Sequence, residues 1–298
     1  MTAVVVVTTP PRPSLLRRVA RLAPYILLTP GLLWLLYFFI WPLAQMTLMS
    51  LSSGTLDSGF HVTGTLKSFS DALTKFGTQW GNSLIFGGTS TILDFLIGFP
   101  VAYTIAFKGG RYKNLLLFMV IAPFFTSFLI RTISWQILLG DEGPVLAFLK
   151  HTLGILPVDF SILYSPVAVV SGLTYNFLPF MILPMYVALE KIDFRLLEAA
   201  GDLYGSSWQT FRRVTFPLAL PGVFAGTILT FIPAMGDYVN AELLGSPKTR
   251  MIGNVIQGRF MQSTDYPSAS ALSLLLMLGI LVAVAIYARA LGTEELTG

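Results

Sequence analysis

Six apolar stretches, each of 20 residues or more, alternate with short polar ones along the chain: 25–49, 84–107, 115–139, 166–189, 218–244 and 269–288. About 20 apolar residues in a helix cross the hydrocarbon core of a bilayer. A helix satisfies its own backbone groups, which lipid cannot do. The pattern therefore predicts an all-α, polytopic membrane protein with six transmembrane helices. Several stretches hold Pro and Gly, including Pro30-Gly31, Pro100, Pro123, Pro179, Pro184 and Pro221-Gly222. Ordinary kinks within a packed bundle account for these. Pro233 is set apart because it falls beside intramembrane acids.

The polar stretch between the fourth and fifth spans, 190–217, is patterned more closely than a connection requires. In DFRLLEAAGDLYGSSWQTFRRVTFP, Leu196, Ala200 and Leu203 follow helical spacing, while Arg195, Glu198 and Asp202 recur on the other side. This predicts a short amphipathic helix. Gly205-Ser206-Ser207 predicts a break, Trp208 to Val214 a second helical piece, and Pro217 the opening of the fifth span. A helix lying on lipid would explain the amphipathicity. It would not explain an acidic face, which anionic lipid repels. A docking face for a soluble protein explains both.

Composition sharpens the membrane reading. The chain is 54% hydrophobic and 11% charged, against about 25% charged in soluble domains. With no cysteine, disulfides, thiolate metal sites and Cys nucleophiles are excluded. The net charge of +4 reads as orientation and not as nucleic-acid binding, because the basic residues sit in short loops. With the N-terminus inside, twelve Lys and Arg lie on the inner side and six on the outer. Both termini and the 190–217 stretch are then cytoplasmic. Residues 1–22 read as a cytoplasmic tail, since VVVV is too short for a signal-peptide core and the basic cluster follows it. Residues 23–290 form the transmembrane domain and 291–298 a second cytoplasmic tail.

Asp94, Arg131, Asp237 and Glu242 fall within or at the ends of spans. A charge at mid-bilayer costs at least about 2.5–3.5 kcal/mol, so each should face protein or water. In FIPAMGDYVNAELLG, Asp237 and Glu242 flank Tyr238 and Asn240. Carboxylates beside an aromatic ring suit a cation in transit; pairing with a neighbouring helix or with Arg131 is the plainer alternative. Asp94, alone in STILDFLIG, suggests a structural hydrogen bond. Arg131 suggests a side chain that snorkels or pairs within the bundle.

No nucleotide site is present: GFHVTGTL at 59–66 has P-loop spacing but lacks the Lys. HExxH and GxSxG are absent too, and the chain has only two His. A polytopic membrane enzyme would need a catalytic cluster at one face. An ion-driven secondary transporter would show paired broken helices in two halves, and Pro233 has no counterpart with flanking acids in the first half. Any energy from ATP must come from another chain.

Here a resemblance adds to the residues. Glu198-Ala199-Ala200, three residues, Tyr204, nine residues, then Val214-Thr215-Phe216-Pro217 resembles the EAA loop of permease subunits of binding-protein-dependent ABC importers. That family's pattern has Gly where Tyr204 stands, and Ile and Leu for Val214 and Phe216; Gly205 lies one residue beyond. IRTISWQILLGDEGP and FIPAMGDYVNAELLGSPKTRMIGNVIQGRF are similar to the spermidine/putrescine branch. The resemblance runs from about residue 20 to 290. It implies the type I importer permease fold, with six core helices and a cytoplasmic EAA coupling helix. It implies no enzyme activity or cofactor in this chain, with ATP and Mg on the partner ATPase. The implied partners are two cytoplasmic ATPase subunits, a second and different permease chain, an extracytoplasmic binding protein and the lipid bilayer of the bacterial inner membrane. The ATPase contact would fall on Glu198, Ala199, Ala200, Gly201, Asp202, Tyr204 and Gly205. The substrate path would pass Asp237, Tyr238 and Glu242. The implied cargo is a polyamine, with another small solute (another cation, an opine-like or phosphonate compound, or a sugar) as the alternative.

Overall fold

A computed structural model describes residues 25–290, apart from residues 26, 156, 158 and 205. The two expected tails, 1–22 and 291–298, lie outside the described residues, as does Gly205. The chain is helical almost throughout. Helix α1 is Leu27–Ser50. A small antiparallel hairpin follows, β1 (Ser52–Thr55) and β2 (Gly59–Val62), with Ser52 opposite Val62. Helix α2 (Lys67–Lys75) leads into α3 (Gly77–Lys108), and α4 (Gly110–Phe125) into α5 (Phe128–Leu139). Helix α6 is Pro166–Glu190, α7 Phe194–Tyr204 and α8 Ser207–Gly236. Short helices α9 (Val239–Leu244) and α10 (Ile252–Gln257) precede α11 (Tyr266–Ala290).

Among the described residues five helices are long and apolar enough to span a membrane, and six if the bent pair beginning with α4 is one span. The third predicted span is bent: its two limbs, Gly110–Phe125 and Phe128–Thr152, meet at 94°. The break has a local cause. Pro123 opens a single 3₁₀ turn, Thr126 is extended (φ −107°, ψ 149°), and its hydroxyl donates back to the Pro123 carbonyl at 2.8 Å. Pro100, Pro179, Pro184, Pro221 and Pro233 lie inside continuous helices. The break in the fifth span comes after Pro233, at Asp237-Tyr238. At the other end Pro217 lies in the first turn of the α-helical part of α8, Phe216–Gly236, which follows a π turn at Phe211–Thr215.

Helices α3, α6 and α8 form the centre. Small residues let them approach closely, as membrane helices without a strong hydrophobic drive require. A Cβ on Gly222 would lie 2.6 Å from the Ala188 Cβ and from the Pro184 carbonyl oxygen, and one on Gly226 would lie 2.8 Å from the Met181 sulfur. Around Gly98, Met181 and Met185 an apolar core fills the half of the bundle nearer α7. A second core, with Phe86, Leu173, Leu244 and Met251, fills the other half. Helix α1 stands apart. It packs on α11 and the hairpin and exposes Leu32, Trp34, Phe38 and Trp41, as expected of a helix that meets lipid or another chain.

Candidate functional site

The 190–217 stretch folds as its pattern predicts, into a helix, a break and a second helix. Asp193 starts α7, its Oδ1 accepting the Arg195 amide at 2.9 Å, which satisfies one orphan donor of the first turn. Among the described residues, one side of α7 meets the rest of the chain. Ala200 is buried and Leu197 half-buried. Glu198, Ala199, Gly201 and Asp202 are all exposed. The expected apolar face is only partly used: Leu196 and Leu203, at 51% and 75% exposure, are not covered. The reason is that α7 touches the bundle edge-on, through Ala200, and not with a full stripe. A Cβ added to Gly201 meets no atom within 4 Å. Nothing among the described residues therefore requires glycine there, although glycine in a helix interior costs roughly 0.5–1 kcal/mol relative to alanine.

Aromatic rings join this stretch to α3. Trp208 stacks on Phe211 at 5.5 Å, and Phe211 meets Phe99 edge-on at 5.6 Å. Phe216 lies 5.9 Å from Phe99, and Phe194 lies 6.2 Å from Phe107. Lys113 at the start of α4 pairs with Glu190 at the end of α6 and lies over the Tyr186 ring. The 190–217 stretch thus meets α3 through ring contacts, from Phe194 of α7 and from Phe211 and Phe216 of α8, while Lys113 and Glu190 tie α4 to α6.

The second polar region lies at the far end of the bundle. Asp237 is 8% exposed. Its Oδ1 accepts the Asn240 amide at 2.8 Å, which caps α9, and Oδ2 accepts from the Asn240 side-chain amide at 3.3 Å. The Asn240 Oδ1 accepts from Asn176 Nδ2 at 3.1 Å and lies 3.3 Å from the Thr132 hydroxyl. Asn254 donates to the Tyr238 carbonyl at 2.9 Å and to Glu242 Oε2 at 3.0 Å. Tyr238 and Glu242 are themselves exposed. Asp237, Tyr238 and Glu242 therefore do come together, in a knot that joins α5, α6, α9 and α10. Among the described residues Asp237 has no ion pair, with Arg131 or with any other cation. Sequence reasoning missed Thr132, Asn176 and Asn254. The available signal was a lone amide in an apolar run, as in TYNFLP and IGNVIQ.

Two expectations change. Asp94 is fully buried in the central core, yet neither carboxylate oxygen has a hydrogen-bond partner among the described residues. The nearest hydroxyls on its own helix, Ser90 and Thr91, both donate to the Gly87 carbonyl instead. Arg131 neither snorkels nor pairs with an acid among the described residues. Its Nε and Nη1 are buried without partners, and its guanidinium lies 5.3 Å from the Phe124 ring centre and 5.7 Å from that of Phe128. Cation–π contact replaces the ion pair.

Residues 95–290 match the family described as binding-protein-dependent transport system inner membrane component. The chain belongs to this family. It is a multi-pass inner-membrane subunit of an importer; the ATPase is a separate subunit, so this component is not itself an enzyme. The importer component is 40% identical over 261 residues to the spermidine/putrescine transport system permease protein PotB of Haemophilus influenzae, covering 86% of this chain and 90% of that protein. Its identity to PotB of Escherichia coli is 39% over 201 residues, covering 67% and 73%. The inner membrane ABC transporter permease protein YdcU of Escherichia coli is 34% identical, at 67% of each chain. Among solved structures, a bacterial ABC transporter involved in the import of alginate superposes with a TM-score of 0.74 at 20% identity, over 95% of this chain and 99% of that one. The inward-facing MetNI methionine ABC transporter gives 0.52 at 20% identity, over 72% and 94%. These last two show the fold.

Proposed function

We propose that this chain is one half of the membrane pathway of an ATP-driven polyamine importer, with spermidine and putrescine as cargo. The observation that carries the reading is the 40% identity, over 86% of the chain, to a spermidine/putrescine permease. The knot at the outer end agrees with it. Asp237 is a buried carboxylate without a cationic partner among the described residues, beside the exposed Tyr238 ring and the exposed Glu242. An alkyl diammonium or triammonium ion supplies the missing charge and a chain that lies against the ring.

In this reading both termini and α7 are cytoplasmic. The surface of Glu198, Ala199, Gly201 and Asp202 docks on an ATPase subunit, with Ala200 anchoring the helix from behind. Tyr204, the last residue of α7, and Gly205, outside the described residues, complete the coupling stretch. One such ATPase serves each of two permease chains, the second being a different polypeptide, and ATP and Mg bind there and not here. A binding protein delivers the solute to the outer end. Closure of the ATPases moves α7, the rings of Phe211 and Phe99 pass the motion to α3, and the two permease halves rock between outward and inward openings. The reading is tested by uptake of labelled spermidine into proteoliposomes holding the whole transporter and its binding protein. Uptake that needs internal ATP and is competed by putrescine is expected. ATP-driven uptake of other solutes with none of spermidine would overturn the cargo and leave the importer.

A further inference from the structure

A groove of about 410 Å³ runs between α3 and the first turns of α8, a size within the range of small-molecule sites. Phe95, Leu96 and Phe99 form one wall, and Trp208 and Phe216 the other. Arg212 is the one charged residue among those lining it. It is exposed, and among the described residues it has no ion pair. We propose that the groove is a binding site for an acidic glycerophospholipid, with an acyl chain against the rings and the phosphate on Arg212.

Three observations favour this occupant. Phe95, Leu96 and Phe99 give the groove a wall without charge, on a helix long and apolar enough to span a membrane. Trp208, 67% exposed, stands beside Arg212, and Trp with Arg marks the membrane–water boundary. A basic side chain at the mouth of an apolar groove between membrane helices selects an anionic head group over a zwitterionic one. The orientation proposed above puts this boundary in the cytoplasmic leaflet, where acidic lipid resides. The lipid would then wedge between α3 and the helix that carries coupling motion into it.

The test uses the complete transporter, stripped of lipid in detergent and titrated with phosphatidylglycerol or phosphatidylcholine of the same chains, with bound lipid counted by native mass spectrometry. Phosphatidylglycerol is expected to bind in preference. Arg212→Ala should reduce that preference about fivefold, the contribution of one basic side chain near an anionic surface. Leu96→Trp, which fills the groove, should lower binding of both lipids. Lys108→Ala, outside the groove, should change neither. A photo-reactive residue at position 96 should crosslink to lipid. Equal binding of the two lipids, an unchanged preference in Arg212→Ala, or crosslinks from position 96 into a protein subunit would each overturn the proposal. Spermidine-stimulated ATP hydrolysis measured on the same preparation keeps this outcome separate from the import reading, which stands or falls on that activity alone.

Discussion

The stretch that carries α7 and the knot around Asp237 are both polar interruptions of an apolar chain, and they are built in opposite ways. Helix α7 is local: its start, its exposed acidic face and its end all come from about a dozen consecutive residues. The knot is assembled from four elements, and its central amide, Asn240, bonds to residues 64 and 108 positions away. One region shows Glu198 and Asp202 outward, without a hydrogen bond or ion pair among the described residues. The other buries its polar groups and pairs them with one another. Exposed, unsatisfied patterning marks a surface made for a partner. Buried polar groups bonded to one another mark a scaffold that holds a few exposed groups in place.

The comparison can be broken from either side. The largest effect is expected for Glu198→Arg, which reverses charge on the docking face. Disrupting a desolvated interfacial charge contact costs about 2–5 kcal/mol, so ATP-driven uptake should fall to background while the chain still inserts and folds. Asn240→Ala should act the other way. It leaves Asn176 with only its bond to the Thr132 hydroxyl and takes the side-chain amide from Asp237 Oδ2, a cost of about 1–3 kcal/mol, read as a lower thermal midpoint in detergent with the ATPase still bound. Asp237→Asn is the sharper variant, because asparagine also caps α9. The fold should hold within about 0.5 kcal/mol, and uptake should fall several-fold through loss of charge. Unchanged uptake would remove Asp237 from the path. The smallest effect should come from Gly201→Ala. Alanine should stabilise the isolated helix by roughly 0.5–1 kcal/mol and weaken ATPase association, measured as co-purified ATPase per permease. If association is unaffected, the glycine is not there for a close approach.

The same contrast explains what could be read from the sequence. The spans, the helix–break–helix at 190–217 and the gathering of Asp237, Tyr238 and Glu242 follow from composition and periodicity, which are local properties. The 94° bend at Thr126-Ser127 was hidden because Pro123 looks like the five other prolines that helices accommodate. The choice depends on whether neighbouring groups re-satisfy the freed backbone. Leu196 and Leu203 were misplaced because periodicity fixes a face but not how much of it a neighbour covers. Asp94 was expected to find a hydrogen bond, and it could not be known that Ser90 and Thr91 spend their hydroxyls on their own helix. Thr132, Asn176 and Asn254 carry no charge, and a lone amide in an apolar run does not name its partner; long-range packing brought Thr132 and Asn176 to Asn240 and Asn254 to Glu242.

The most direct measurement is ATP hydrolysis by the complex that co-purifies with this chain, reconstituted in lipid with its binding protein, with and without spermidine. The account predicts hydrolysis stimulated by spermidine, abolished by Glu198→Arg and retained in Asn240→Ala below its melting point. A preparation in which no ATPase accompanies the wild-type chain, or in which Glu198→Arg hydrolyses ATP in response to spermidine as the wild type does, would contradict the claim that α7 is the coupling surface.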